Sequence, residues 1–236
     1  HVCVQPHDID GDGRIDFVVG AGWRPPNTER ASTLQWIGRD GAGTWQVHPI
    51  DYTEPTLHRL RLGDVKGNGK TQLVVAPLQG RGTKGPNWGE GQGVKVQVFD
   101  IPTDPTVRAW PVVTADDALH TIHNLQLIDL TGDGRSEVVL AAWEGVFRLD
   151  LQADGKWSRT KLGAGNQESS PFKGSSEVKV GRLANGGSYI ATIEPWHGHQ
   201  VVAYSPSKSD PQSLWTRSVL AEPLTWGHAV WCANLD

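Results

Sequence analysis

An all-β fold, a β-propeller of four-stranded antiparallel blades, is what three features of this sequence predict. An acidic, glycine-rich loop followed by an apolar run recurs along the chain. The segments between loops are short Val, Ile and Leu runs closed by Gly, Asn and Asp. With 28 Gly, 15 Pro, 11 Trp and no Met in 236 residues, the composition suits strands and turns and leaves little for helices.

The first loop is Asp8-Ile9-Asp10-Gly11-Asp12-Gly13-Arg14-Ile15-Asp16, running into Phe17-Val18-Val19. Its opening position recurs at Asp64, at Asp129, in a worn copy at Arg182 and at Asn234, at intervals of 56, 65, 53 and 52 residues. Each unit has the same order of elements. An alternating strand precedes the loop (58–62, 123–127, 176–180), and an apolar strand follows it (17–19, 73–76, 138–141, 189–193). A third strand comes next (34–37, 94–99, 146–149, 201–204), then an edge segment (45–48, 108–113, 157–161, 214–220). Four strands at this period make one blade, and a single blade cannot bury both faces, so blades stack around an axis. The units span approximately 1–56, 57–121, 122–174 and 175–226, and 227–236 begins a further blade. The incomplete fifth unit favours a ring of seven blades, of which this single domain, or fragment of one, over 1–236 holds about four. The remaining blades of a longer parent chain would then be partners, and any signal peptide would lie outside the sequence.

The loops suit a hard cation to different degrees. Carboxylates at Asp8, Asp10, Asp12 and Asp16, with the backbone carbonyl of Arg14, match the first half of a calcium loop. Position 12 is Val19, where an EF-hand needs Glu, so the loop joins two strands and is not an EF-hand. A polar hairpin turn with no metal is the alternative. Asp129, Asp133 and Glu137 keep enough acid for a weaker site, with Thr131 at position 3. Lys66 repels a cation in the second loop, and Arg182 leaves the fourth only a turn. The expected ion is structural Ca2+, with Mg2+ as the alternative.

Counting back six residues from the loop position puts His58, His123 and His228 in one column, with Ser176 in the fourth unit and Val2, beside His1, in the first. The strand before the loop should be innermost, so these imidazoles converge at the mouth of the channel. Packing against a neighbouring blade is the plainer fate of such a histidine. Arg59, Asn124 and Glu177 follow them. Turns opening on the same face carry Trp23 and Arg24, Arg81 and Lys84, Trp143 and Glu144, and Glu194 with Trp196, His197 and His199. Aromatic rings stack on sugars and guanidinium groups hold carboxylates, so Trp23, Arg24, Trp143, Glu194 and Trp196 are candidate sugar contacts. Trp88 and Trp143 could equally plug spaces between blades. The Gly-rich segment 81–92 is longer than a hairpin needs.

A net charge of −4 offers no basic face for nucleic acid, and no apolar run nears the ~18 residues of a membrane span. Cys3 and Cys232 could pair or remain two buried thiols. Ser-His-Asp and Cys-His nucleophile patterns and phosphate-binding glycine loops are absent.

The repeated Asp-x-x-Gly-Asp/Asn-Gly loop with its apolar strand resembles the FG-GAP/VCBS propeller repeat over nearly the whole chain. Glu194-Pro195-Trp196-His197-Gly198-His199, the stretch 80–85 and the blade-opening histidines resemble the propellers of fungal aldos-2-ulose dehydratases and of rhamnose–glucuronate lyases. That resemblance implies a secreted carbohydrate-active protein that breaks a C–O bond by β-elimination with a divalent metal nearby. In such chemistry His58 and His123 would be base and acid, supported by His228 or His197, and Arg59, Arg81 or Lys84 would neutralise the enolate or carboxylate. Three imidazoles with an open position also suit Zn2+ as a Lewis acid. The rival is a non-catalytic, integrin-like binding module, and a two-carboxylate glycosidase finds no singled-out pair among Glu144, Glu177 and Glu194.

Overall fold

The computed structural model describes residues 3–24, 27–207, 210 and 213–233, so the positions expected for His1, Val2 and Asn234 lie outside the described residues. The first four strands are β1 (Cys3–His7), β2 (Asp16–Ala21), β3 (Thr33–Arg39) and β4 (Trp45–Ile50). Next come β5 (Leu57–Gly63), β6 (Gln72–Pro77), β7 (Val96–Asp100) and β8 (Val112–Asp116). The third set is β9 (Asn124–Ile128), β10 (Glu137–Ala142), β11 (Gly145–Leu151) and β12 (Trp157–Gly163). The last is β13 (Glu177–Arg182), β14 (Ser188–Glu194), β15 (Gln200–Ser205) and β16 (Thr216–Ala221). Each set of four forms one antiparallel sheet in sequence order, as a propeller blade requires.

The edge strands drift most from the periodicity. Expected at 108–113, β8 begins at Val112, because Trp110 turns inward and its indole N–H donates to the carbonyl of Pro105. Expected from 214, β16 begins at Thr216. An edge strand has only one hydrogen-bonded neighbour, so a single inward side chain can shift its start.

Blades stack because one face repeats. Strands β1, β5, β9 and β13 lie side by side, which makes them innermost. Leu60 and Leu73 of the second blade are fully buried against Val18, Leu34 and Trp36 of the first. Leu125 and Val138 fill the same positions against the second blade, and Val178 and Ile190 against the third. Burying each such side chain contributes about 1.5–3 kcal/mol. Their equivalents in the first blade, Val4 and Phe17, are 53% and 37% exposed.

In each acidic loop the first Asp caps the turn. Asp8 accepts from the amides of Gly11 and Gly13, Asp64 from Lys66, Asn68 and Gly69, and Asp129 from Gly132, Asp133 and Gly134. The ninth residue is equally constant in what it does, since Asp16, Gln72 and Glu137 accept from the amides of Ile9, Val65 and Leu130. The loop geometry therefore persists where the charge has decayed.

Candidate active site at the channel mouth

The innermost strands β5, β9 and β13 are each entered through a left-handed residue, Thr56, Thr121 and Gly174, two residues before His58, His123 and Ser176, and Trp226 stands in the same relation to His228. That turn aims the next side chains at the mouth. His58 adds a bulge, since Leu57 pairs with Pro77 and Arg59 with Ala76, leaving the histidine unpaired and redirected. Thr56 and Thr121 then tie the entry to the loops, through hydroxyl groups donating to the carbonyls of Gln79 and Trp88.

The hydrogen bonds assign the tautomers. His58 Nδ1 lies 3.1 Å from the carbonyl of His123, an acceptor only, so Nδ1 carries the proton. Its Nε2 then accepts from Arg59 Nη1 at 3.2 Å, and both ring nitrogens are engaged. His123 Nδ1 faces the carbonyl of Ser176 at 3.1 Å and Glu177 Oε1 at 3.0 Å, so it is the protonated nitrogen and Nε2 is bare. That Nε2 sits 3.2 Å from Nε2 of His197, whose ring stacks on Trp196 at 4.6 Å. His228 joins them from the C-terminal segment, its ring 4.7 Å from His123 and 4.8 Å from His197. One ligand atom from each of His123, His197 and His228 lies within 4.8 Å of the others.

Burial, then the charge of Arg59, pushes His58 down to about 2, and burial with the neighbouring imidazoles pushes His197 down to about 4. Burial also lowers His123, against the upward pull of Glu177. Burial pushes Glu177 up, yet the hydrogen bonds from His123 and Asn124 hold it below its usual range. His58, His123 and His197 are thus held neutral over an ionised carboxylate. In metal-free protein, stability is full above the unfolded value of 6.5 and falls as pH drops toward 2, because the unfolded chain takes up a proton that buried His58 refuses. The slope is up to about 1.4 kcal/mol per pH unit. Urea midpoints at pH 7 and pH 5 should differ less in His58→Asn than in the wild type, and equal differences overturn the burial argument.

A cavity of about 210 Å³ opens on this cluster, lined by Trp23, Leu78, Gln79, Trp88 and Trp196 with the four histidines. Three buried polar atoms on its lining, Trp23 Nε1, Trp196 Nε1 and Gln79 Oε1, have no hydrogen-bond partner among the described residues. Trp88 and His197 keep φ values of 56° and 52°, a strained region for bulky residues that the surroundings must enforce.

Of the residues expected at the mouth, the structure brings together His58, His123, His197, His228, Trp23 and Trp196. Arg59 stands one layer deeper, bonded to His58 and 3.8 Å from Glu177. Others are elsewhere. Arg24 is exposed and does not line the cavity. Arg81 spends its guanidinium on the carbonyls of Glu29 and Thr53, and Lys84 borders a separate cleft. Trp143 packs on Gly89 outside the cavity. Glu194 is fully buried: Oε1 accepts from Ser175, Thr192 and Tyr204, and Oε2 from Arg217. Sequence reasoning placed Trp88 between blades and passed over Leu78 and Gln79, whose two-residue signal after β6 is only the end of an apolar run.

The donor set tests well against a zinc-type ion. Two imidazole nitrogens on one tetrahedral zinc lie about 3.3 Å apart, given bonds of about 2.0–2.1 Å, and the His123–His197 pair shows 3.2 Å. Glu177 holding Nδ1–H of His123 is the outer-shell carboxylate that ligating histidines ordinarily have. Two acidic groups offer oxygen ligands: Asp8, Asp10 and Asp16, and Asp129, Asp133 and Glu137, each within 4.8 Å. Asp12 is drawn off by Arg14 and Asp133 is shared with Arg135, while Lys66 folds away onto Asp100. Burial, with repulsion from Asp10 and Asp12, raises Asp16 despite its amide hydrogen bonds. Cys3 and Cys232 are unpaired thiols, and burial pushes Cys3 up to about 11.

The family model described as aldos-2-ulose dehydratase, beta-propeller domain, matches residues 31–207. Among solved structures, a GH43_1 enzyme from Xanthomonas citri is similar over 98% of this chain and 78% of that one, at 13% identity and a TM-score of 0.43. No curated protein matches the chain.

Proposed function

We propose that this protein, which belongs to the aldos-2-ulose dehydratase β-propeller family, is a sugar lyase that breaks a C–O bond by β-elimination at the channel mouth. The observation that carries the reading is the convergence of His123, His197 and His228 beneath a tryptophan-walled cavity. These three residues would hold a zinc-type cation. A Lewis acid there polarises a carbonyl or carboxylate oxygen, which acidifies the neighbouring C–H.

The chain's own groups do the rest. Glu177 fixes the tautomer and ring angle of His123, and the carbonyl of His123 in turn orients His58. Trp23, Trp88 and Trp196 exclude water and offer flat apolar faces to a sugar ring, while Gln79 Oε1 supplies an acceptor for a hydroxyl group. His58 is a poor base, because its lone pair is taken by Arg59 and its basicity is depressed to about 2. No lining residue other than a histidine ionises, so the proton acceptor is an imidazole of this cluster. His228, exposed and without a hydrogen bond among the described residues, is the one that can leave the cation to His123 and His197, take the substrate proton and return it to the departing oxygen. The same reading seats a further blade on the exposed Val4 and Phe17 face.

The test is zinc-dependent formation of an unsaturated product, followed by ultraviolet absorbance, from keto-sugars such as anhydrofructose or from rhamnose–glucuronate glycans. Chelation should abolish it and zinc restore it; no product from either class overturns the reading. The acidic loops are read as structural calcium sites. Calcium at 100 times its Kd should then add about 2.7 kcal/mol to stability. Asp10→Asn, which keeps the turn and removes a ligand charge, should shrink that gain, and a melting midpoint indifferent to calcium would exclude the role.

A further inference from the structure

A second cavity, of about 370 Å³, shares a wall with the imidazole cavity: Trp196 and His197 line both. Its remaining lining includes Phe172 and Trp226, with hydroxyl groups from Ser169, Ser170 and Thr225. Phe172 meets Trp196 edge to face at 4.8 Å, and Trp226 stands 69% exposed with φ of 54°. This wall is clamped by backbone: Leu224 N–H donates to the carbonyl of His199 and Gly227 N–H to that of Gly198. A Cβ on Gly198 would stand 2.1 Å from the carbonyl carbon of Glu194, so the close approach requires glycine. An exposed, strained indole beside a second aromatic platform is a costly arrangement for a plain surface.

We propose that this second cavity is a glycosyl subsite, so that the protein acts on a sugar carrying a glycosidic substituent. The inference rests on the reading of the imidazole cavity as the reacting site. At about 210 Å³ that cavity alone is smaller than the roughly 300 Å³ at the lower end of small-molecule sites, and the two cavities that share Trp196 together fall within that range. A pyranose presents one apolar C–H face and an equatorial rim of hydroxyl groups. Phe172, Trp196 and Trp226 match the face, and Ser169, Ser170 and Thr225 match the rim. The reacting ring would sit by the imidazoles, and the linked ring would continue past Trp196.

Calorimetry of the zinc-loaded protein with glucose, cellobiose and maltose tests this. At least one disaccharide should bind tenfold or more tightly than glucose. Trp226→Ala and Phe172→Ala should each erase that advantage while leaving glucose affinity and the melting midpoint unchanged. Disaccharides that bind no better than glucose, or variants that weaken glucose equally, overturn the subsite and leave the imidazole site standing. Glucose affinity insensitive both to zinc removal and to His123→Ala overturns the reading of the imidazole cavity, and the subsite with it. Absence of binding by all three sugars overturns both.

Discussion

His123→Ala is expected to abolish product formation and to weaken zinc binding by more than the ~10–100-fold that loss of an outer-shell partner costs. His123 is the most constrained of the cluster, only 1% exposed, with Nδ1 spent on Ser176 and Glu177 and Nε2 directed at His197. Removing it leaves His197 and His228 without their fixed partner and Glu177 without one hydrogen bond. Glu177→Gln keeps the shape and removes the charge, so its loss should fall within that ~10–100-fold range. Zinc titration against a competing chelator reads both variants, and an unfolding curve separates either effect from collapse. Zinc affinity unchanged in His123→Ala would mean that the convergent imidazoles only pack the blades.

Glu194→Ala should destabilise the fold by about 3 kcal/mol, the lower end for breaking a buried pair, since Arg217 is 30% exposed and regains some water. Four donors converge on this carboxylate; Arg217 keeps Gln200 Oε1 as a second acceptor, while the hydroxyl groups of Ser175, Thr192 and Tyr204 lose the acceptor they share. Urea unfolding measures the loss. A sugar-binding residue would behave differently, leaving the midpoint in place and weakening only sugar affinity; that outcome would restore the role its position in the sequence suggests.

The two expectations show how far residue order reaches. Glu194, Trp196 and His197 stand within four residues in a turn of the predicted kind. In β14 and the turn that follows, Glu194 is buried among Ser175, Thr192, Tyr204 and Arg217 of its own blade while Trp196 and His197 line the cavity. Strand alternation near a turn is broken by irregular backbone, so the facing of each residue could not be read in advance. Arg81 and Lys84 failed for a related reason: a long glycine-rich loop has many conformations, and its contacts with Glu29 and Thr53 come from another blade.

The four described blades, their strand order and the histidine column were legible because each rests on a repeat, and a repeat imposes the same local solution on every unit. The acidic loop served as the ruler, its capping Asp and ninth-position acceptor being local interactions that need no partner blade. What only the tertiary structure decided is which column members still have a lone pair. His58 and His123 occupy equivalent positions, yet Arg59 closes one and Glu177, from the next blade, holds the other open. Such a difference arises from contacts across blades, between residues 54 apart, and no periodicity within a blade records it.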